Sequence, residues 1–236
     1  MKFVRSFSLA ALAMAASVAA HAAAFQNGDF ENGVFTASPD SLGTTQYLSP
    51  GDLAMTGWVS YGLQWTPGSS TRTGEVAWLN CPGGCYSDLT AQSGSKFLDL
   101  TGRSDWQYGA IYQTFDTVAG TTYQVNFSQG YSSTWSSASA RPNLYVVAKD
   151  GATIVDDLDP AWAGFTSTSA GWTQRTYNFT AASGTTTLFF AGGYDAANYV
   201  GLDNVSVTAV PEPESYAMML AGLGALGFMA RRRKAQ

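Results

Sequence analysis

Hydrophobic side chains recur at every second position along much of this chain, which is the spacing of a β-strand and not of a helix. Tyr123, Val125 and Phe127 are separated by single polar residues, and the same alternation recurs at residues 176–180 and 204–207. Each of these runs predicts a strand with one buried face and one solvated face. About ten short strands separated by glycine and serine turns, without an amphipathic helical pattern between them, predict an all-β antiparallel β-sandwich of the jelly-roll type. The further strand candidates are residues 58–65, 75–79, 96–100, 110–115, 143–149, 186–191 and 200–203.

The amino-terminal segment has the three parts of a secretory signal peptide. Residues 1–5 contain two cations, residues 9–20 are almost wholly apolar, and Ala20-His21-Ala22 has the small-x-small pattern of a cleavage site. We expect residues 1–24 to be removed by cleavage after Ala22 or Ala24. The single histidine of the chain, His21, then leaves with the signal or lies beside the cut. This argues against histidine-based triads, histidine zinc sites and imidazole acid–base catalysis.

The chain between residues 25 and 209 is long enough for one domain with a substantial core. It contains six Lys and Arg against fifteen Asp and Glu, a formal balance of −9. Such a surface argues against nucleic acid as a partner. Anionic polysaccharide would also be repelled unless a divalent cation intervened, so neutral glycans are the easier ligands. The sequence has no nucleophile elbow, metal-ligand helix or phosphate loop. Although its acids could supply a glycosidase pair by chance, we expect no catalytic residues and a domain that is not an enzyme.

The last part of the chain is a tail of three segments. It consists of Pro211-Glu212-Pro213, an uncharged apolar run at residues 216–230, and Arg231-Arg232-Arg233-Lys234. The apolar run can close its own backbone hydrogen bonds as a transmembrane helix. Its fifteen residues span only roughly 22 Å of a hydrocarbon core about 30 Å thick, which makes the helix a marginal anchor. The basic cluster should remain cytoplasmic, with the domain on the far side of the membrane.

The three segments in this order resemble the PEP-CTERM sorting signal of Gram-negative bacteria that make extracellular polysaccharide. The resemblance covers residues 210–236. It implies export across the inner membrane to the cell surface, the outer envelope or the medium, and processing by the membrane transpeptidase exosortase. Cleavage near the Pro-Glu-Pro segment would free or re-anchor the domain, and retention of the tail as a simple anchor stays open. The residues of the sorting motif are then Pro211, Glu212, Pro213, Arg231, Arg232 and Arg233.

The two cysteines of the chain, Cys81 and Cys85, flank Pro82-Gly83-Gly84. In an exported chain without a third ligand, such a pair predicts a disulfide. A ring this short removes little entropy from the unfolded state, so the bond would shape one surface loop rather than hold the fold. A catalytic dithiol is the alternative, but nothing basic lies nearby in sequence to lower a thiol pKa.

A second resemblance covers nearly the whole domain. Its fragments, in chain order, resemble galactose-binding-like jelly rolls, the choice-of-anchor surface domains that carry PEP-CTERM tails and, more distantly, secreted carbohydrate-binding modules. Residues 66–93, which hold the cysteine pair, depart from the pattern. The fragments are Asn27-Gly28-Asp29-Phe30-Glu31, Gly57-Trp58, Phe97-Leu98-Asp99-Leu100, Ile111-Tyr112-Gln113-Thr114-Phe115, Gly120-Thr121-Thr122-Tyr123, Trp172 and Gly201-Leu202-Asp203-Asn204-Val205-Ser206-Val207.

This resemblance implies a domain that binds carbohydrate and a structural calcium ion held by Glu31 and Asp203. Calcium takes six to eight oxygen ligands, so two carboxylates and several backbone carbonyls would join the first strand to the last. The alternative is that Glu31 is a solvated acid and that Asp203 accepts hydrogen bonds from backbone amides.

All seven tryptophans of the chain lie in the domain, and sugar rings stack their apolar C–H face on aromatic side chains. Trp58 and Trp172 have strand-like surroundings and are predicted to be core residues. The ligand candidates have loop-like surroundings, where binding residues concentrate. Each of them is alternatively a loop residue packed against the core. They are Trp65, Trp106, Trp135 and Trp162, together with Tyr131 and Arg103.

Together these features predict an exported, non-catalytic protein of the cell surface or extracellular matrix that binds carbohydrate. Its expected partners are exosortase, extracellular polysaccharide and, through the tail, the membrane, and calcium is the one candidate cofactor. The alternative hypothesis is a structural or adhesive surface protein that uses the same sandwich for protein contacts and binds no sugar.

Overall fold

The computed structural model describes residues 24–39, 43–62, 64–65, 72–82, 88–101, 109–132, 134, 143–151, 162–192, 199–211 and 223. Thirteen β-strands lie in these residues. They are β1 (Thr45–Leu48), β2 (Val59–Gly62), β3 (Gln64–Trp65), β4 (Arg72–Thr73), β5 (Val76–Asn80), β6 (Lys96–Asp99), β7 (Gly109–Asp116), β8 (Thr122–Tyr131), β9 (Asn143–Asp150), β10 (Ala163–Thr166), β11 (Gly171–Thr180), β12 (Thr185–Gly192) and β13 (Val200–Ala209).

Two antiparallel sheets contain all of these strands except the β3–β4 pair. One sheet has six strands in the order β1-β5-β6-β13-β8-β11, and the other has five in the order β10-β9-β12-β7-β2. Consecutive strands of the chain repeatedly fall in different sheets, so the chain crosses the core many times. The predicted all-β antiparallel sandwich of the jelly-roll type is confirmed.

The main core lies between the two sheets. Trp78 and Phe127 enter it from the six-stranded sheet, and Ile111 and Phe190 enter it from the five-stranded sheet. The rings of Phe127 and Phe190 meet edge to face with their centroids 5.2 Å apart. Trp58 is 1% exposed and donates its Nε1–H to Asn27 O at 2.8 Å, which confirms the predicted core position. Each such side chain contributes about 1.5–3 kcal/mol through burial.

The alternating runs of the sequence form the long strands of the six-stranded sheet. β8 and β11 pair over all ten residues. Runs 200–203 and 204–207 form a single strand, β13, whose register against β8 shifts between Asp203 and Ser206. Run 58–65 is divided into β2 and β3. The sequence did not predict β1, β4 and β10, because strands of two to four residues are too short for alternation to show.

The first described segment is fitted against β13. Val205 donates its N–H to Gly28 O at 2.8 Å. A Cβ at Gly28 would lie 1.8 Å from Val205 O, so no larger residue fits there. Phe30 has a positive φ of 56° and is fully buried in the main core. The Asn-Gly-Asp-Phe-Glu fragment therefore closes the sandwich and directs Glu31 toward the residues that precede β6.

Trp172 lies on the outer face of the six-stranded sheet. It is opposite Gly130 in the register of β11 and β8, and Gly130 is opposite Gly201 of β13. A Cβ at either glycine would come within 2.9 to 3.1 Å of the Trp172 ring, so the two glycines make room for it. The ring also meets Phe97 edge to face at 5.5 Å. The predicted core position is therefore wrong for Trp172, which is half-buried and packs against a second cluster outside the main core.

The segments that the sequence assigns to targeting lie mostly outside the described residues. Pro211 is exposed and follows the end of β13. Residues 1–23, Glu212, Pro213 and Arg231 to Arg233 are outside the description, as is the predicted helix 216–230 except for residue 223. Within the described part of the chain, no helix has the length and apolar character needed to span a membrane.

Candidate functional site

The outer face of the five-stranded sheet carries a row of tyrosines separated by small residues. Tyr61 on β2 is opposite Ala110 on β7, and Ala110 is opposite Ala191 on β12. Ala191 is in turn opposite Tyr145 on β9. With strands about 4.8 Å apart, the two tyrosines of this row stand roughly 14 Å from each other with an alanine floor between them.

The next row of the same face extends the aromatic surface. Phe189 on β12 is opposite Tyr112 on β7, with ring centroids 5.2 Å apart. Tyr112 also meets Tyr61 edge to face at 6.1 Å, and Trp162 meets Phe189 at the same distance. Phe189 is fully buried, whereas the three tyrosines are half-buried. We call this surface, defined by Tyr61, Tyr112, Tyr145, Trp162 and Phe189, the tyrosine face.

Hydroxyl groups border the tyrosine face along the strands. Thr114 of β7 is opposite Thr187 of β12, and their Oγ1 atoms are 2.8 Å apart. Thr187 is also opposite Lys149 of β9 and donates its hydroxyl to Gly151 O. On β7 and β12 the surface thus changes from an aromatic ring to a hydroxyl within two residues, and on β9 Val147 and Lys149 lie in the same two rows. An apolar surface with adjoining polar groups suits a ligand that has an apolar face and many hydroxyls.

The ligand candidates from the sequence fall in different places. Trp162 belongs to the tyrosine face but is only 8% exposed, so it packs against the sheet as the alternative hypothesis expected. Tyr131 is half-buried at the end of β8, on the other sheet. Trp65 is placed only as a strand residue of β3. Trp106, Trp135 and Arg103 lie outside the described residues, so their roles stay predictions.

The three tyrosines are not among the ligand residues that the sequence predicts, although a signal for them is present. Residues 144–148 and 188–191 are apolar on both faces rather than alternating. A strand of this kind is covered on both sides or carries an apolar outer surface. Tyr61, Tyr112 and Tyr145 lie in strands, whereas the predicted ligand residues were those with loop-like surroundings.

Glu31 and Asp203, the predicted calcium ligands, both bind the segment that precedes β6. Asp203 is fully buried, and its Oδ2 accepts the N–H groups of Gln92 at 2.7 Å and Ser93 at 3.0 Å. Glu31 Oε1 accepts the N–H groups of Ser95 at 2.7 Å and Lys96 at 2.6 Å. The two carboxylates therefore fasten residues 92–96 to the first segment and the last strand of the domain.

Burial and hydrogen bonding act in opposite directions on these two acids. Burial, with a smaller contribution from the nearby charge of Glu31, raises the pKa of Asp203 to about 7 against the effect of its three amide hydrogen bonds. The pKa of Glu31 is lowered overall: although its partial burial acts to raise it, the hydrogen bonds from Lys96 and Ser95 outweigh that effect. The charge therefore resides on Glu31 in preference to Asp203.

A cation at this position would compete with donors that are already in place. Lys96 Nζ lies 3.3 Å from Glu31 Oε2 and 3.1 Å from Glu31 O. Asp203 Oδ1 accepts the N–H of Asn204 at 2.6 Å. The described residues contain no cluster of three or more metal-ligating side chains. These contacts satisfy both carboxylates without a metal and so fit calcium poorly, and the calcium site stays a prediction.

Cys81 directly follows β5 and is buried in the second cluster with Leu89 and Phe97. It is disulfide-bonded. Cys85, the partner that the sequence predicts, lies outside the described residues, so the pairing itself stays a prediction.

The fold and the tail together define a class: an exported β-sandwich domain that is followed by a sorting signal. Residues 23–207 match the family described as "Protein of unknown function (DUF642)", and the chain belongs to this family. Residues 209–234 match the PEP-CTERM protein-sorting motif, so the predicted sorting signal is confirmed. No curated protein sequence matches the chain.

Several solved structures are similar to this sandwich at low sequence identity. The carbohydrate-binding module TmCBM61, in complex with β-1,4-galactotriose, is 13% identical with a TM-score of 0.44, covering 80% of this chain and 99% of its own. The K1 cleaved adhesin domain of Lys-gingipain from Porphyromonas gingivalis W83 is 16% identical with a TM-score of 0.47, covering 72% and 100%. A CBM4 module is 16% identical with a TM-score of 0.34, covering 78% and 99%.

Proposed function

We propose that this domain is a non-catalytic carbohydrate-binding domain and that it binds neutral, hydroxyl-rich glycans on the tyrosine face. The observation that carries the proposal is the row of two half-buried tyrosines over an alanine floor on the outer face of the five-stranded sheet. Ala110, Ala191 and Phe189 are fully buried, so the half-buried tyrosine side chains are the part of this face that a ligand can contact.

The charge of the domain supports a neutral ligand. Residues 25–209 carry a formal balance of −9, whereas the described side chains of the tyrosine face and its hydroxyl border include one cation, Lys149, and no carboxylate. Asp116, the next outward residue of β7 beyond Thr114, places a carboxylate beside the hydroxyl border and away from the tyrosines. Glycoside hydrolysis requires a pair of carboxylates beside the bond that is cleaved, so this composition also supports binding without catalysis.

The sorting motif supports the setting in which the ligand is met. A chain that carries the PEP-CTERM motif at residues 209–234 is exported and is a substrate for exosortase processing. We infer that the mature domain works at the cell surface or in the extracellular matrix, among the polysaccharides of the cell that makes it.

Affinity electrophoresis of the mature protein through gels of neutral and anionic polysaccharides tests the proposal. We expect retention in at least one neutral polysaccharide, and a rise in Kd of about tenfold, equivalent to ~1.4 kcal/mol, for Tyr112→Ala and for Tyr61→Ala. Tyr47→Ala is the matched control, because Tyr47 is a half-buried tyrosine that packs on the other sheet. Thermal melting confirms that each variant is folded.

Two results would contradict the proposal. Absence of retention in every polysaccharide would favour the hypothesis of protein contacts without sugar binding. Release of reducing sugar from the same panel would show that the domain is catalytic.

A further inference from the structure

In the part of the chain that the structure describes, the four edges of the two sheets differ greatly in length. β1, β2 and β10 each contribute an edge of four residues, whereas β11 contributes one of ten. An edge strand presents unpaired N–H and C=O groups that can pair with another chain, and short edges reduce this tendency. β11 is the edge at which a long additional strand could be added.

Of the sequence devices that usually block edge pairing, β11 has one, an inward-pointing charged residue. It contains no proline, lysine or acidic residue, and its register with β8 runs without a bulge over ten residues. Its single charged residue, Arg175, points into the sandwich. There Nε donates to Gln129 Oε1 at 2.9 Å and Nη2 donates to Thr166 O at 2.7 Å. The guanidinium is therefore bound by the two sheets of its own domain.

The outward side chains of β11 are ordered by hydrogen bonds to side chains of β8. Gln174 donates to Ser128 at 2.7 Å and Thr176 donates to Asn126 at 2.8 Å. The hydroxyls of Thr180 and Thr122 are 3.1 Å apart. Because these side chains are already ordered, β11 would lose little further side-chain entropy when another strand pairs with it.

The charge of the domain bears on whether a second copy of the chain can supply the added strand. Two copies of a domain with a formal balance of −9 repel each other over most of their surfaces, but an edge without acidic residues avoids that repulsion. Antiparallel pairing about a two-fold axis at Thr176 would set Thr176 opposite its own copy and Gln174 opposite Asn178. It would also set Arg175 opposite Tyr177 on the inner face of the joined sheet, where the guanidinium keeps its hydrogen bonds to Gln129 and Thr166 of its own domain.

We propose that β11 pairs antiparallel with β11 of a second copy of this chain, so that the two six-stranded sheets form one continuous sheet. The symmetry is that of an isologous two-fold interface, in which the same surface is used by both copies. A two-fold axis perpendicular to the joined sheet leaves both five-stranded sheets on the same side. If the proposed function holds, the dimer therefore presents two tyrosine faces in one direction and binds a polysaccharide with the avidity of two linked sites.

Sedimentation velocity of the mature protein over a range of concentrations tests the dimer. We expect concentration-dependent dimerisation of the wild type. Thr176→Lys should raise the dimer Kd at least about tenfold, because like charges directly opposite each other across paired strands are destabilising. Ser206→Lys is the matched control: Ser206 is exposed in the same register row as Asn126 and Thr176, but two strands inside the edge.

A mixture of Thr176→Lys with Thr176→Glu provides a test that a folding defect cannot imitate. Each variant alone should be monomeric, and the equimolar mixture should form heterodimers, because opposite charges then face each other. A wild type that stays monomeric at every soluble concentration would overturn the proposal. A wild-type dimer that Thr176→Lys leaves intact would also overturn it, since the interface would then lie elsewhere. Glycan retention is measured separately, so failure of the dimer and failure of the proposed function are distinguishable.

Discussion

Asp99 is predicted to make the stability of the domain depend on pH. It is 2% exposed in β6, and its Oδ1 accepts hydrogen bonds from Thr101 N at 2.9 Å, from the Thr101 hydroxyl and from Val200 N at 3.3 Å. Burial raises the pKa of Asp99 to about 7, because loss of water penalises the charged carboxylate more than these three bonds favour it.

The sign of the effect follows from proton linkage. The folded state binds the proton of Asp99 more tightly than the unfolded state, in which the pKa is near 3.8. The stabilising contribution is therefore complete below about pH 3.8 and is lost as the pH rises through about 7. The contribution of Asp99 to the free energy of unfolding falls by about 1.4 kcal/mol per pH unit in this window, which amounts to roughly 2–3 kcal/mol between pH 5 and pH 8.

Asp99→Asn removes this titration with little other change, because all three hydrogen bonds end on a single oxygen that the amide retains. Urea unfolding of both proteins at pH 5 and pH 8 gives the free energies. From pH 5 to pH 8 the stability of Asp99→Asn relative to the wild type should increase by roughly 2–3 kcal/mol. Asp150→Asn, at the exposed end of β9, is the control for loss of a carboxylate. If the difference between Asp99→Asn and the wild type is the same at both pH values, the reasoning is refuted.

Three further outcomes are expected. Gly130→Ala should lower the free energy of unfolding by about 1–3 kcal/mol, because its Cβ would lie 2.9 Å from both Trp172 and Leu89, whereas Gly184→Ala, with open space at its Cβ, should not. Calcium at Glu31 and Asp203 predicts that EDTA lowers the melting temperature and that Glu31→Gln abolishes this response; a melting curve that EDTA leaves unmoved contradicts the site. Mass spectrometry of the surface fraction should find a mature C-terminus near Pro211 to Pro213, whereas recovery of residues 231–236 would make the tail a simple anchor.

The sequence predicted best those strands that have one solvated face. In β8 and β11 polar residues alternate with Val125, Phe127, Tyr177 and Phe179, and this pattern identified both strands and their buried side. In β12 the residues from Leu188 to Ala191 are apolar on both faces. The pattern therefore indicated a strand, but it did not indicate whether the outer face of that strand packs against other residues or binds a ligand. Hydrophobic periodicity thus reports burial well and a binding surface poorly, because aromatic ligand sites and core faces use the same side chains.

The roles of individual residues depended on contacts that periodicity does not encode. The resemblance of residues 27–31 and 201–207 to galactose-binding-like jelly rolls predicted that Glu31 and Asp203 lie near each other, and both do bind the same segment, residues 92–96. It did not reveal that the N–H groups of residues 92–96 are their partners. Those residues lie more than sixty positions from Glu31 and more than a hundred from Asp203, and only the folded topology brings them together.

The topology also relates the tyrosine face to the sorting tail. β13 ends at Ala209, beside the start of β8, and Val210 donates its N–H to Thr122 O at 2.8 Å. The turns at residues 117–121 and 181–184 lie at this same end of the sandwich, next to Asp116 and Thr185. Ala110 precedes Asp116 by six residues of extended strand, so the alanine floor lies roughly 20 Å along β7 from the end where the tail leaves. The hydroxyl border points toward the tail and the tyrosine row away from it. A domain tethered or processed at its tail would therefore keep the tyrosine row at its distal end, where an extracellular polymer can reach it.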